Sequence, residues 1–199
     1  MTQVDTSIFR KYDVRGTVGG DKPQITPDLA RLVGKALGTY LPKEFQTERV
    51  FVGCDNRATS PGLKAVLIEG IASAGLNVTD IGAVLTPTVY FASASYGKKG
   101  AGVMITGSHL APDQNGFKLC VGARSLYGDA IQALRLLVEQ DDFNGGYEAA
   151  HAKDNPLLDY IVDVVPRLRM ARSCLASRAA DCPSRVPGRA TAGDWLPGV

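Results

Sequence analysis

Apolar residues recur at two different spacings along the chain, and the alternation between them predicts the fold class. Short runs rich in β-branched residues predict buried strands. These runs lie at residues 8–14, 49–54, 77–81, 103–105 and 117–121. Between them stand longer segments whose apolar residues return every three or four positions, as on one face of a helix. Strands that alternate with helices predict an α/β fold, here a three-layer α/β/α domain with a mainly parallel mixed sheet.

Pairs of a capping residue and a proline predict where four of the helices begin. A hydroxyl or amide side chain can cap the helix, and proline is well suited to the first helical position. The pairs are Thr26-Pro27, Ser60-Pro61, Thr86-Pro87 and Asn155-Pro156. A fifth helix is predicted at residues 126–138 from its apolar spacing alone. Turns are predicted at Arg15-Gly16, after the first strand, and at Asn115-Gly116, a common turn dipeptide.

The composition changes near the end of the chain and predicts its domain organisation. Residues 1–140 form the predicted domain, and residues 141–170 form a polar linker followed by a helix. Residues 171–199 contain no Lys, Glu, Asn, Gln, His, Ile, Phe or Tyr. Too little apolar surface remains to offset the entropy of ordering, so we expect this tail to be unstructured. A flexible natural tail and a reading-frame shift in a GC-rich gene both produce such a composition, and we favour the frameshift.

Overall composition excludes several classes of protein. The formal net charge of +2 gives no basic surface for nucleic acid and none for a membrane. No apolar run approaches the roughly 20 residues that a membrane-spanning helix needs. The first residues show neither a basic nor an apolar signal region, and the four cysteines have no disulfide or zinc spacing. We therefore expect a cytoplasmic protein.

The stretch Thr106-Gly107-Ser108-His109 follows directly on a predicted buried strand, and Lys118 lies on the strand that returns. Ligands of open α/β sheets gather at the carboxyl ends of strands, so this placement predicts a reactive serine. A serine hydrolase would need Gly-x-Ser-x-Gly, but the residue two after Ser108 is Leu110. The other histidine, His151, lies in the predicted linker. The hydrolase interpretation is therefore rejected.

Three motifs in order give this chain a family resemblance. They are Tyr12-Asp13-Val14-Arg15-Gly16, Gly53-Cys54-Asp55-Asn56-Arg57, and Thr106-Gly107-Ser108-His109 with Asn115-Gly116-Phe117-Lys118. With them the chain resembles the α-D-phosphohexomutases, most closely the phosphomannomutase/phosphoglucomutase branch. The resemblance covers about residues 7–170. It matches the first of that family's four domains and the helix that leads into the second.

The resemblance implies a role for each matching residue. Ser108 would carry a phosphoryl group and donate it to a hexose 1-phosphate, giving a bisphosphorylated sugar whose other phosphate then returns to the serine. Lys118 would act as general acid and base on the sugar hydroxyl. Arg15 would bind the transferring phosphoryl group, for which a guanidinium is suited because it binds phosphate bidentately. Tyr12 would lie close to it, and His109 would assist. Asp55 and Arg57 are interpreted as a structural loop pair.

The resemblance also implies a cofactor, an activator and a substrate. These are Mg²⁺, with the phosphate of Ser108 as one ligand, a hexose 1,6-bisphosphate, and a mannose or glucose phosphate. Nothing in the sequence selects the sugar or the oligomeric state. The family's metal loop, Asp-Gly-Asp-Gly-Asp-Arg, does not occur in the 199 residues, and Leu110-Ala111 replaces a common Asn-Pro. We therefore expect a truncated form with little activity alone. The alternative is a non-catalytic α/β fragment.

Overall fold

The computed structural model describes residues 4–145 and 149–176. The main unit ends at Asn155, and a second unit begins at Pro156. The strands are β1 (Val14–Thr17), β2 (Arg49–Cys54), β3 (Asn77–Ala83), β4 (Gly100–Ile105), β5 (Gln114–Val121), β6 (Arg124–Ser125) and β7 (His151–Lys153). The helices are α1 (Pro27–Phe45), α2 (Ser60–Ser73), α3 (Thr86–Ser95), α4 (Asp129–Gln140) and, in the second unit, α5 (Leu157–Ala176). None of the described helices combines the length and the apolarity that a membrane span needs.

The strands of the main unit form one mixed sheet. Their order is β1-β5-β4-β2-β3-β7, with β6 paired to β5. Strands β4, β2, β3 and β7 run parallel to one another, whereas β5 runs antiparallel to both β4 and β1. The predicted mainly parallel mixed sheet is confirmed. Because β5 starts beside the carboxyl end of β4, a short loop at residues 106–113 is enough to join them.

Helices cover both faces of the sheet, as predicted for the three-layer class. Along β2, Val50 and Val52 point to one face, into a core shared with α1, α2 and α4. Phe51, between them, points to the other face and packs with Val89 and Ala92 of α3. This alternation is the expected period of two along a strand.

Helices α1 and α2 approach each other closely because glycines face one another at their contact. An ideal Cβ on Gly70 would lie 2.2 Å from the carbonyl oxygen of Arg31, and one on Gly34 would lie 2.3 Å from the carbonyl oxygen of Leu67. Neither distance is possible for a real side chain. The contact therefore depends on the absence of side chains at both positions.

The first predicted strand, at residues 8–14, is wrong. Phe9 makes an isolated antiparallel bridge to Val14, and β1 starts only at Val14. Ile8, Phe9 and Val14 are buried, but they are buried around a turn and not along a strand. Arg15-Gly16, predicted as a turn, consequently lies inside β1, where Arg15 is directly opposite Gly116 of β5.

The turn predicted at Asn115-Gly116 is also wrong, because both residues lie inside β5. Asn115 is fully buried, and its amide donates hydrogen bonds of 2.9 Å to Thr59 Oγ1 and Ser60 Oγ. A Cβ on Gly116 would lie 2.4 Å from the carbonyl oxygen of Val14. The pair is therefore used for a buried polar contact and for the close approach of β1.

The helix starts are confirmed only in part. Thr26 caps α1 as predicted, since its Oγ1 accepts a 3.2 Å hydrogen bond from Leu29 N. Ser60, in contrast, is already the first residue of α2, and its hydroxyl donates to Asp55 Oδ1. The helix predicted from residue 126 begins at Asp129, because Leu126 still pairs with Leu119.

Two differences concern the end of the described chain. The predicted linker contains β7, a short edge strand parallel to β3 whose exposed side chains leave no apolar pattern to read. Helix α5 continues to Ala176, beyond the boundary predicted at residue 171, because Ala, Arg and Leu are good helix formers. Residues 177–199 lie outside the described residues, so the unstructured, frameshifted tail stays a prediction.

Candidate active site

The loop that follows β4 is fixed by its own short hydrogen bonds. Thr106 N donates to the carbonyl oxygen of Gly116, which extends the β4–β5 pairing by one step. Ser108 N donates to Thr106 Oγ1 at 2.8 Å, and Leu110 N donates to the carbonyl oxygen of Gly107 at 2.9 Å. The chain therefore turns tightly at the carboxyl end of a buried strand, where the sequence predicted it.

Ser108 has a left-handed backbone, with φ at 53°. A residue with a side chain adopts this conformation at a cost of roughly 1–3 kcal/mol, and it persists where the surroundings determine it. The side chain of Ser108 is exposed, and its Oγ lies 3.4 Å from His109 Nδ1. The unusual backbone thus presents a hydroxyl to solvent with an imidazole beside it.

Four of the five predicted site residues line one small pocket at this edge of the sheet. Ser108, His109, Arg15 and Lys118 surround it together with Asp13. The strand register explains the convergence. Arg15 is opposite Gly116, and Lys118 lies two residues further along β5 on the same face. Diagonal neighbours of this kind are within reach of long side chains.

Asp13 is a member of the site that sequence reasoning missed. Its carboxylate is largely buried and lies 3.2 Å from Arg15 Nε and 3.7 Å from Lys118 Nζ. One carboxylate thus faces two cations, and the three side chains together keep a net positive charge. Asp13 stands in the Tyr-Asp-x-Arg-Gly motif, so its position in that motif was a signal that could have identified it.

The fifth predicted residue, Tyr12, does not appear among the described residues that line the pocket. Tyr12 is 63% exposed, and the centroid of its ring lies 6.4 Å from that of Tyr127 and 5.3 Å from Lys11 Nζ. His151, set aside from the start, lies on the edge strand β7. The roles of the individual site residues stay predictions.

Asp55 and Arg57 follow β2 and lie against the loop of residues 106–113, which we call the serine loop. Burial would raise the pKa of Asp55, but hydrogen bonds from the side chains of Ser60 and Thr106 and from backbone N–H groups lower it below its ordinary 3.8. The carboxylate therefore contributes stability that is complete above the unfolded-state pKa and is lost as the pH falls through the lower folded value.

The described part of the chain contains no group of three or more His, Cys, Asp or Glu side chains able to hold a metal ion. In the pocket, the one carboxylate, Asp13, faces Arg15 and Lys118. The pocket by itself is suited to an anion. Two cations with a shared counter-ion, next to an exposed hydroxyl, are typical parts of a site for phosphoryl transfer.

Comparison with known proteins decides the family. The family model described as phosphoglucomutase/phosphomannomutase, alpha/beta/alpha domain I, matches residues 6–145. The chain belongs to the phosphoglucomutase/phosphomannomutase family. The matched range of this family member contains the serine loop, Lys118 and the Arg15 motif. The resemblance read from the three motifs is thereby confirmed.

Individual members of the phosphoglucomutase/phosphomannomutase family agree with this assignment. A phosphoglucomutase of Neisseria meningitidis serogroup B is 35% identical over 173 residues, which cover 86% of this chain and 36% of that protein. A phosphomannomutase/phosphoglucomutase of Pseudomonas aeruginosa is 38% identical over 161 residues, covering 81% and 32%. A solved structure of a family protein from Burkholderia thailandensis superposes with a TM-score of 0.74 at 32% identity, covering 82% and 36%. The chain spans about a third of the length of these relatives.

Proposed function

We propose that this chain supplies the phosphoserine of a hexose-phosphate mutase, with Ser108 as the residue that accepts and returns the phosphoryl group. The proposal is based on the conformation and position of Ser108. Ser108 stands on a left-handed backbone at the carboxyl end of β4, with its hydroxyl exposed beside a pocket lined by Arg15 and Lys118. The names of the relatives support a hexose phosphate, of glucose or mannose, as the substrate class. The reaction belongs to carbohydrate metabolism in the cytoplasm.

The proposed chemistry uses four side chains of the pocket, those of Ser108, Lys118, Arg15 and His109. When phosphoserine donates to a sugar hydroxyl, the sugar oxygen bonds to phosphorus, the phosphorus–Oγ bond breaks, and Lys118 takes the hydroxyl proton. Arg15 neutralises charge on the phosphoryl oxygens during the transfer. The reverse step reloads the serine from the other phosphate of the bisphosphate, with the proton of Lys118 returning to the sugar oxygen. His109, whose Nδ1 lies 3.4 Å from Ser108 Oγ, would give a proton to the serine oxygen released in the first step and take it back when the serine is reloaded.

Mg²⁺ belongs to the proposal only as a family expectation. The described residues do not assemble a site that fits it, since they contain no cluster of three ligating side chains. When bound at the phosphate of Ser108, a divalent cation would offset the negative charge of the transferring group. No step above depends on it.

Turnover by the 199-residue chain is expected to be slight. A coupled assay from glucose 1-phosphate to glucose 6-phosphate, with Mg²⁺ and glucose 1,6-bisphosphate present, measures it. The pocket alone provides a nucleophile, a proton carrier and an anion site, but the described residues provide no metal cluster. Robust turnover would contradict the expectation. A chain that neither turns over nor becomes phosphorylated would be the non-catalytic fragment considered as the alternative.

The test of the proposal is the intact mass of the protein after incubation with glucose 1,6-bisphosphate. We expect the wild type to gain one phosphoryl group and Ser108→Ala to gain none. Ser95→Ala, at an exposed serine near the end of α3, is the matched control and should load like the wild type. A phosphoryl group that persists in Ser108→Ala, or none in the folded wild type, would refute the proposal.

A further inference from the structure

Arg57 is bound almost entirely by the backbone of the serine loop. Its Nη1 donates to the carbonyl oxygens of Ala111 at 2.6 Å and Gln114 at 3.0 Å. Its Nη2 donates to those of Leu110 at 2.7 Å and Ser108 at 3.2 Å. One guanidinium thus joins four carbonyls between residues 108 and 114. A planar group with donors in fixed directions can do this, and a single ammonium cannot.

Asp55 holds the other end of the same loop. Its Oδ2 accepts a 3.2 Å hydrogen bond from Gly107 N and lies 3.4 Å from Arg57 Nε. Its Oδ1 accepts hydrogen bonds from Ser60 Oγ at 2.5 Å and from Arg57 N at 3.1 Å. Asp55 therefore fixes the backbone just before Ser108 and orients Arg57, which fixes the backbone at Ser108 and after it.

Buried polar groups behind the pair hold it in place. Asn115 and Ser60 are both fully buried, and the Asn115 amide donates to Ser60 Oγ, whose own proton goes to Asp55. Asn115 Oδ1 also accepts from Gly116 N at 2.9 Å. These bonds connect β5, α2 and the loop after β2. Buried groups that are all satisfied in this way give a rigid arrangement.

Gly107 is required by the same arrangement. An ideal Cβ at this position would lie 2.3 Å from Arg57 Cζ and 2.4 Å from Nε. The guanidinium therefore packs directly on the backbone of Gly107, next to Ser108. This contact gives a physical reason for a glycine between Thr106 and Ser108.

We propose that Asp55 and Arg57 are positioning residues that hold Ser108 in its left-handed, outward-facing conformation; the proposal rests on the function proposed above. We do not expect Arg57 to bind the phosphoryl group. Its donors are engaged by carbonyls, its charge faces Asp55, and its side chain is only 17% exposed. The cations left for the phosphoryl group are Arg15 and Lys118, which line the pocket.

The test compares Arg57→Lys and Arg57→Ala with Arg31→Ala, a control at a more exposed arginine paired with Asp28 and Glu69. Two quantities are measured well below each variant's unfolding temperature: hydrogen exchange of the bonded loop amides of Gly107, Ser108, Leu110 and Gln114, and the rate of phosphoryl loading from glucose 1,6-bisphosphate. Misplacing a reacting group by about 1 Å can slow a reaction on the order of a hundredfold. We expect both Arg57 variants to lose amide protection and to load about a hundredfold more slowly, whereas Arg31→Ala should match the wild type.

Chemical rescue by guanidinium distinguishes a positioning role of Arg57 from a contribution to stability alone. Millimolar guanidinium chloride should restore part of the loading rate of Arg57→Ala and leave the wild type unchanged. If Arg57→Ala fails to fold, Arg57→Lys alone is compared with the wild type. Wild-type loading and wild-type amide protection in the folded Arg57 variants would overturn the positioning role. If the wild type itself does not load, the proposed function fails and amide exchange alone decides: lost protection in the Arg57 variants keeps the positioning role, and unchanged protection overturns it.

Discussion

Gly70→Ala is expected to destabilise the main unit by about 3 kcal/mol or more, since overpacking a tight contact without room to relax costs this much. The added Cβ would lie 2.2 Å from the carbonyl oxygen of Arg31, and the Cα of Gly34 is 3.1 Å away. Both neighbours are backbone atoms, so no side chain can rotate aside. Helices α1 and α2 would have to separate, which would open the core that they share.

The matched control is Gly62→Ala in the same helix. An ideal Cβ on Gly62 would point into open space beyond its own helix, so only helix propensity changes, and alanine is favoured there by up to about 1 kcal/mol. Thermal unfolding followed by circular dichroism measures both variants. For a domain of this size each kcal/mol shifts Tm by roughly 2–4 °C. Equal Tm values for the two variants would show that α1 and α2 do not pack as described.

Lys118→Met is expected to slow phosphoryl loading of Ser108 by on the order of 10²–10⁴-fold, the usual contribution of a positioned general acid or base. When the bisphosphate loads the serine, the departing sugar oxygen needs a proton, and Lys118 is the proposed donor. Methionine keeps the length and the apolar stem of lysine, so packing beside Met104, its partner across β4 and β5, should survive. Loading is followed by intact mass over time.

Lys153→Met, at an exposed lysine on β7, is the control for loss of a positive charge. It should load at the wild-type rate, because loading depends on a proton donor in the pocket and not on the net charge of the chain. Loading of Lys118→Met within a few-fold of the wild type would remove Lys118 from the chemistry. It would leave the proposal for Ser108 itself intact.

The buried parts of the sheet could be predicted from the sequence because their signals are local. Strands β2 and β4 are continuous apolar runs, and both are fully buried at their centres. The cap at Thr26 and the stripe of α1 follow from residues within a few positions of one another. Such patterns need no knowledge of the rest of the fold.

The two turn predictions near the candidate site were wrong because the contacts that decide them are not local. Asn115-Gly116 has the composition of a turn, but the partners of Asn115, Thr59 and Ser60, lie more than fifty positions earlier in the chain. Arg15 was expected in a turn because its strand is recognisable only through pairing with β5. Local propensity is overridden by tertiary contacts in both cases.

The serine loop was predicted from its motif, but the contacts that fix its position were not. Asp13 joins Arg15 to Lys118 through space, and Arg57 reaches carbonyls that are more than fifty residues away. Neither contact leaves a periodic signal in the sequence. The chemical groups were therefore predictable, and their supporting partners required the fold.

Return of the phosphoryl group from the protein to a sugar tests whether Ser108 is a phosphoryl carrier. The wild-type chain is loaded with glucose 1,6-bisphosphate labelled in its phosphates, freed from excess bisphosphate, and then mixed with unlabelled glucose 1-phosphate. If Ser108 is a phosphoryl carrier, the label leaves the protein and appears in glucose 1,6-bisphosphate. Label that stays on the protein, or that leaves only as inorganic phosphate, would contradict a carrier role for Ser108.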